Sequence, residues 1–112
     1  MTTLKPFTLL SLLLVTTMCW AQVSTSELNG IVKDSTGAVV PGAEVSVKNP
    51  DSGFVRSTVS NQTGNYVLTA IPPGHYQLRA AGKGFSTIAQ DLVLEVGRAV
   101  TLNLNMKAGS AT

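Results

Sequence analysis

The stretch Asn65-Tyr66-Val67-Leu68-Thr69-Ala70-Ile71-Pro72-Pro73-Gly74-His75-Tyr76-Gln77-Leu78-Arg79-Ala80 decides the fold. Tyr66, Leu68 and Ala70 fall on one parity, and Asn65, Val67 and Thr69 on the other. Tyr76, Leu78 and Ala80 repeat the pattern against His75, Gln77 and Arg79. Period two is the signature of a strand with one buried face. Two prolines remove two ladder donors, so Ile71-Pro72-Pro73-Gly74 is expected to lie outside the sheet, with Pro73-Gly74 reversing the chain before Tyr76.

Outward from this pair the same grammar continues. Ala43, Val45 and Val47 alternate with Glu44, Ser46 and Lys48, and Val100, Leu102, Leu104 and Met106 with Thr101, Asn103 and Asn105. Asp34-Ser35-Thr36-Gly37 and Asn61-Gln62-Thr63-Gly64 each begin with a side chain that can bond the backbone ahead and end with glycine. Pro50-Asp51-Ser52-Gly53 carries the same turn residues. The expected strands are seven, at 26–34, 43–49, 54–60, 65–70, 75–81, 87–95 and 99–106, which predicts an all-β sandwich. An immunoglobulin-like strand order is the alternative. One segment also fits a helical stripe, through Phe85, Ile88, Ala89, Leu92, Val93 and Val96. The alternation of Leu92, Leu94 and Val96 and the β neighbours favour a strand.

The first 21 residues read as an export signal. Lys5 supplies positive charge, Phe7 to Trp20 is apolar, and Cys19-Trp20-Ala21 predicts cleavage between Ala21 and Gln22. The apolar run is shorter than a membrane span. Met18 and Thr16 do not fit a lipid-attachment signal at Cys19. Removing 1–21 leaves about 90 residues, enough for one small domain. The sandwich is assigned to 22–106, with 107–112 as a flexible tail or the start of a linker. No cysteine and no membrane span remain in the mature chain, so packing and the sheet ladder must stabilise it.

The chain of 112 residues has 8 Lys and Arg against 6 Asp and Glu. That field is too weak for nucleic-acid recognition. With one histidine, His75, and no mature cysteine, a zinc site of His and Cys cannot form. The carboxylates are scattered singly, and no serine stands in a nucleophile elbow. No catalytic residue, metal ligand or cofactor site is therefore expected.

The ordered series Gly30-Ile31-Val32-Lys33-Asp34, Thr36-Gly37, Val40-Pro41-Gly42-Ala43-Glu44-Val45, Asn61, Gly64-Asn65-Tyr66, Ile71-Pro72-Pro73-Gly74-His75-Tyr76-Gln77-Leu78 and Gly82-Lys83-Gly84-Phe85 resembles the carboxypeptidase regulatory-like domain. The resemblance spans about residues 28 to 106 and implies a seven-stranded transthyretin-like (prealbumin-like) sandwich, grouped with carbohydrate-binding-like folds. Where the family often has Asp, this chain has Asn61, which keeps the turn and removes a carboxylate. Gly30, Asp34, Gly37, Pro41, Gly42, Asn61, Gly64, Tyr66, Pro73, Gly74, Tyr76 and Gly84 are read as structural, in turns or core. Transthyretin-like hydrolases are excluded, because the resemblance there would require several histidines and a different carboxyl terminus.

An export signal followed by this domain resembles the amino-terminal extension of TonB-dependent outer-membrane receptors. The expected function is a non-enzymatic exported module, periplasmic, outer-membrane-associated or secreted, that binds or spaces. A carbohydrate-binding module is the second reading, with Phe85 as the aromatic expected to be exposed for a glycan. An accessory domain of a separate metallocarboxypeptidase is the third. A protein partner or a cell-surface glycan fits these readings. The Asn61-Gln62-Thr63 sequon is common by chance. A Lys–Asn isopeptide of the collagen-adhesin type would pair Lys33 with Asn103 or Asn105, but Lys33 lies on the outward parity and no glutamate falls between Glu44 and Glu95.

Overall fold

The computed structural model describes residues 24–109. The expected signal segment and its cleavage point at Ala21 and Gln22 lie outside the described residues. The chain forms eight strands: β1 (Ser26–Asp34), β2 (Glu44–Lys48), β3 (Val55–Val59), β4 (Asn65–Ile71), β5 (Gly74–Ala81), β6 (Ile88–Leu94), β7 (Ala99–Thr101) and β8 (Leu104–Met106). The segment with the competing helical stripe is strand β6. No helix among the described residues is long and apolar enough to cross a membrane.

Two four-stranded sheets face each other. The first has β1 at its centre, with β4 on one side and β7 and then β8 on the other. β4 runs antiparallel to β1, and β7 and β8 run parallel to it. The second is ordered β3-β2-β5-β6, all antiparallel. Leu28, Val32, Tyr66, Leu68, Leu104 and Met106 from the first sheet meet Val45, Val47, Tyr76, Leu78, Ala80 and Leu94 from the second, all buried. Alternation puts these residues on the inner faces and sends Glu, Lys, Asn and Thr outward.

The expected seven strands become eight because the last one breaks. Leu102 and Asn103 leave the ladder between β7 and β8. The Leu102 N–H still donates to the Asn29 carbonyl at 2.7 Å, but the Ile31 N–H turns to the Asn103 side-chain oxygen at 3.1 Å. One side chain thus replaces a missing backbone acceptor.

The expected inward parity of Ala70 is also corrected. Ser26 pairs with Ile71 and Leu28 with Leu68, so β4 carries one extra residue there. Ala70 takes a left-handed φ of 54° and is exposed. The bulge turns Ile71 into the core at 0% exposure. The Ser26 hydroxyl, itself buried, donates to the Ile71 carbonyl at 2.9 Å and fixes the bulge.

The sandwich has two distinct ends. The β1–β2 and β3–β4 connections, the β5–β6 turn and residues 107–109 lie at one end. The β2–β3 and β4–β5 turns and the β6–β7 connection lie at the other, with Ser24 and Thr25. The chain therefore enters at one end and leaves at the opposite one.

Candidate functional site

Each residue singled out in the sequence can now be placed. The tightest constellation joins Gly30, Tyr66 and Leu102. A Cβ on Gly30 would stand 2.0 Å from the Leu102 carbonyl oxygen and 3.0 Å from the Tyr66 ring. Only a residue without a side chain lets the broken last strand lie this close to β1. The Tyr66 hydroxyl donates to that Leu102 carbonyl. Burial pushes the Tyr66 hydroxyl up to about 12, because the phenolate would lose its water. Gly30 and Tyr66 thus act as one structural unit at the break. Leu102 and Asn103 could not be recognised as a break, because Leu102 keeps the apolar parity.

Tyr76 does the analogous task at the other end. Its hydroxyl donates to the Pro72 carbonyl, four residues back, and locks the Pro72-Pro73-Gly74 reversal. Phe54 meets the Tyr76 ring edge-on, with centroids 6.3 Å apart, and the Arg56 guanidinium sits 5.2 Å from the Phe54 centroid. The expected break at 71–74 is narrower than read: Ile71 still pairs with Ser26 in β4 and Gly74 with Leu94 in β5, so only Pro72 and the exposed Pro73, which lack the N–H, leave the ladders.

Asp34 and Asn61 both head turns that close on themselves. The Asp34 carboxylate accepts from the Thr36 N–H at 2.9 Å, the Thr36 hydroxyl, and the Ala38 N–H at 3.1 Å. The Thr36 hydroxyl is the main influence holding the Asp34 carboxyl below its usual 3.8. The Asn61 side-chain oxygen accepts from the Thr63 N–H, the Thr63 hydroxyl and the Asn65 N–H at 3.0, 2.8 and 2.9 Å. The third expected turn begins one residue earlier than read. Asn49, not Pro50, takes the Asp51 and Ser52 N–H groups at 2.9 and 3.1 Å, because Pro50 follows as a turn residue with no donor to place.

Pro41 and Gly42 form the re-entry to β2. Ser60, which sequence reasoning passed over, fixes it. This buried hydroxyl donates to the Val40 carbonyl at 2.7 Å and accepts from the Ala43 N–H at 2.8 Å. Its sequence signal was its position at the foot of an alternating run, immediately before a turn-forming asparagine.

Phe85 does not occupy the exposed position expected of a glycan contact. It is half-buried against the core, after Gly84 in the β5–β6 turn. Its backbone bridges Ala108, while the Ser86 N–H donates to the Lys107 carbonyl and the Gly109 N–H to the Gly84 carbonyl. Residues 107–109, expected to begin a loose tail, are thereby tied to the sandwich. Among the described residues no second exposed aromatic accompanies Phe85: Tyr66 and Tyr76 are buried, and Phe54 lies in the β2–β3 turn at the other end.

Shallow hollows lie on the outer faces of both sheets. One, about 330 Å³, lies on the second sheet and includes His75, Gln77, Asp91 and Val93. Another, about 450 Å³, lies on the first sheet, where Asn29, Asn65, Asn103 and Thr101 surround Ile31 and Val67. No group of three or more His, Cys, Asp or Glu side chains among the described residues could hold a metal ion. Lys33 and Asn105 stand opposite each other on β1 and β8, but both face solvent. An isopeptide between them would lack the buried carboxylic acid that carries the proton.

Solved structures share this architecture. A Bacillus anthracis TIE protein aligns with a TM-score of 0.64 at 19% identity, covering 76% of this chain and 17% of its own. GBS52, the minor pilin of Streptococcus agalactiae, aligns with 0.64 at 14% identity, covering 80% and 47%. Catechol 1,2-dioxygenase from Acinetobacter radioresistens gives 0.63 at 15%, covering 80% and 53%. The chain thus spans about half or less of these proteins, and such low identities establish the fold alone. No curated protein matches the sequence. The family model of the carboxypeptidase regulatory-like domain matches residues 27–107. That span runs from the second residue of β1 to the residue after β8 and takes in both tyrosine anchors and both closed turns, so the chain belongs to the carboxypeptidase regulatory-like domain family.

Proposed function

We propose that the chain is an exported, non-enzymatic accessory module that works by binding or by spacing. In this reading it is the amino-terminal extension domain of a TonB-dependent outer-membrane receptor or a free-standing relative of one. The observation that carries the proposal is the match of the family over the whole sandwich, residues 27–107, in a fold whose chain enters at one end and leaves at the other. That geometry suits a spacer, which sets whatever follows it the length of the sandwich away from the free amino terminus. The polar groups in the sequence's marked turns are spent on those turns, as the three bonds to Asp34 and the three to Asn61 illustrate.

A glycan-binding role is the second reading. It draws on the amide-lined hollow formed by Asn29, Asn65, Asn103 and Thr101 rather than on aromatic stacking at Phe85. A third role, as accessory to a separate metallocarboxypeptidase, predicts a stable complex with that enzyme and no hydrolysis by this chain alone.

The test starts from the full sequence expressed with its own leader in a Gram-negative host, followed by fractionation and two-dimensional NMR with soluble glycans. The expected result is a protein beginning at Gln22, recovered outside the cytoplasm, whose amide peaks no sugar moves. Recovery of the unprocessed chain in the cytoplasm overturns the exported reading. Sugar-dependent shifts clustered at Asn29, Asn65 and Asn103 replace spacing with glycan binding.

A further inference from the structure

The outer strand edges of the sandwich are not alike. The edge made by β7 and β8 is broken at Leu102 and Asn103. β4 is bulged at the left-handed Ala70. β6 carries a carboxylate, Asp91, at its middle residue. Breaks, bulges and charges are the means by which folded proteins discourage strand addition. β3 has no break or bulge, and its one charge, Arg56, stands off its middle residue and over the Phe54 ring. It keeps an unbroken one-to-one register with β2 from Val55 to Val59, and among the described residues no strand lies on its other side.

The phase of that ladder identifies the available backbone groups. The Ser60 N–H donates to the Ala43 carbonyl, and the Asn49 N–H donates to the Phe54 carbonyl. Bonded pairs alternate in an antiparallel ladder, so Thr58 and Arg56 are the β3 residues bonded to β2. Val55, Ser57 and Val59 therefore turn their N–H and C=O groups to the open side.

Val55-Arg56-Ser57-Thr58-Val59 also reads nearly the same from either end. A two-fold axis beside Ser57 sets Val55 opposite Val59 of a second copy and Ser57 opposite its own image. Those are the same residues whose backbone groups are available, so side-chain register and hydrogen-bond phase agree. Val55 is 54% exposed and Val59 60%, and the pairing would cover both. Arg56 falls opposite Thr58 rather than opposite its own copy. The same operation on β6 about Asp91 would set carboxylate against carboxylate, which is destabilising.

We propose that the chain pairs with a second copy of itself, β3 to β3 and antiparallel about Ser57, joining two four-stranded sheets into one of eight strands. The interface is isologous, as a two-fold dimer requires, and its affinity comes from main-chain bonds. One five-residue strand per copy is a small contact, so the dimer accumulates only as protein concentration rises.

The protein, expressed from its full sequence and purified as the host leaves it, is followed by sedimentation equilibrium over a wide concentration range. The expected result is a mass rising from monomer toward twice that value. Val59→Lys holds it at the monomer mass, with an unchanged circular dichroism spectrum because the side chain is exposed. Ser57→Pro does the same by removing the central edge donor without touching the bonds to β2. Val93→Lys, on the β6 edge, leaves the dimer intact. A monomer mass at every concentration overturns the proposal, as does a Val59→Lys variant that still dimerises or a Val93→Lys variant that does not.

Discussion

The turns headed by Asp34 and Asn61 are near copies of each other and respond differently to their surroundings. Each reads Asx-x-Thr-Gly, and each side-chain oxygen accepts from the threonine N–H, the threonine hydroxyl and the N–H four residues on. In each, the first residue's N–H returns to the carbonyl of the fifth, at 2.8 Å for Asp34 to Ala38 and 2.9 Å for Asn61 to Asn65. Both sit at the same end of the sandwich, one where β1 ends and the other leading into its neighbour β4. Two differences remain. Asp34 carries charge and Asn61 does not. Gly37 faces open space, whereas Gly64 lies against β1, where an added Cβ would stand 2.7 Å from the Val32 carbonyl oxygen and 3.0 Å from Val39. Local sequence dictates the turn in both, and tertiary contact decides how much a change there costs.

The glycines give the largest contrast. Both hold positive φ, 87° for Gly37 and 79° for Gly64, so alanine strains either one by about 1 kcal/mol. Gly64→Ala adds a backbone collision and is expected to cost roughly 3 kcal/mol, while Gly37→Ala stays near the strain alone. Denaturant unfolding of both variants measures the gap, and equal losses would mean that β1 gives way at Val32.

Next comes the head residue. Asn61→Ala removes the acceptor for three donors in an exposed turn and is expected to lower stability by about 1 kcal/mol, by the same unfolding measurement. Water replaces part of what is lost, which keeps the effect below that of Gly64→Ala.

Charge separates the two turns by pH. The Asp34 carboxyl is held below 3.8 in the folded chain, so the unfolded chain binds the proton first. Its stabilising effect is present above that value and is lost as pH falls through the folded pKa. Asp34→Asn is expected to flatten the stability profile where pH falls below the ordinary carboxylate range. Asn61→Asp should add a second acid-sensitive step. Unfolding midpoints recorded as pH falls test both, and an unaltered profile in Asp34→Asn would show that other carboxyls set the acid limit.

The smallest effect belongs to the threonine hydroxyls. Thr63→Val is expected to cost about 0.5 kcal/mol at any pH. Thr36→Val should instead show itself as a rise in the Asp34 carboxyl pKa, measured by NMR titration, since that hydroxyl is the main influence on it.

Much of this architecture was legible because it is written in short-range chemistry. Alternation placed the strands, and Asx and glycine placed the turns. What escaped detection depends on contacts distant in sequence. Leu102 keeps its parity while its carbonyl swings over Gly30, 72 positions away. Ala70 shares the period of Tyr66 and Leu68, yet Ser26, 45 residues earlier, helps to fix the bulge that turns it out. Phe85 looked exposed beside two glycines, and only the returning segment at Lys107–Gly109 shows it packed. The structural roles of Gly30 and Tyr66 could be suspected from residue type, but the carbonyl they serve could not. The amide-lined hollow was harder still to read, because surface amides such as Asn29 and Asn103 signal nothing until a sheet lines them up.

The parallel pairing of β1 with β7 and β8 has a mechanical consequence. The chain enters at the foot of β1 and leaves at the head of β8, and Val32, Lys33 and Asp34 register with Leu104, Asn105 and Met106. Tension applied between those two points pulls the strands past each other along their length. The bridging hydrogen bonds are then loaded together in shear, instead of being peeled one after another. A module wired in this way resists pulling along its axis more strongly than its modest core would suggest.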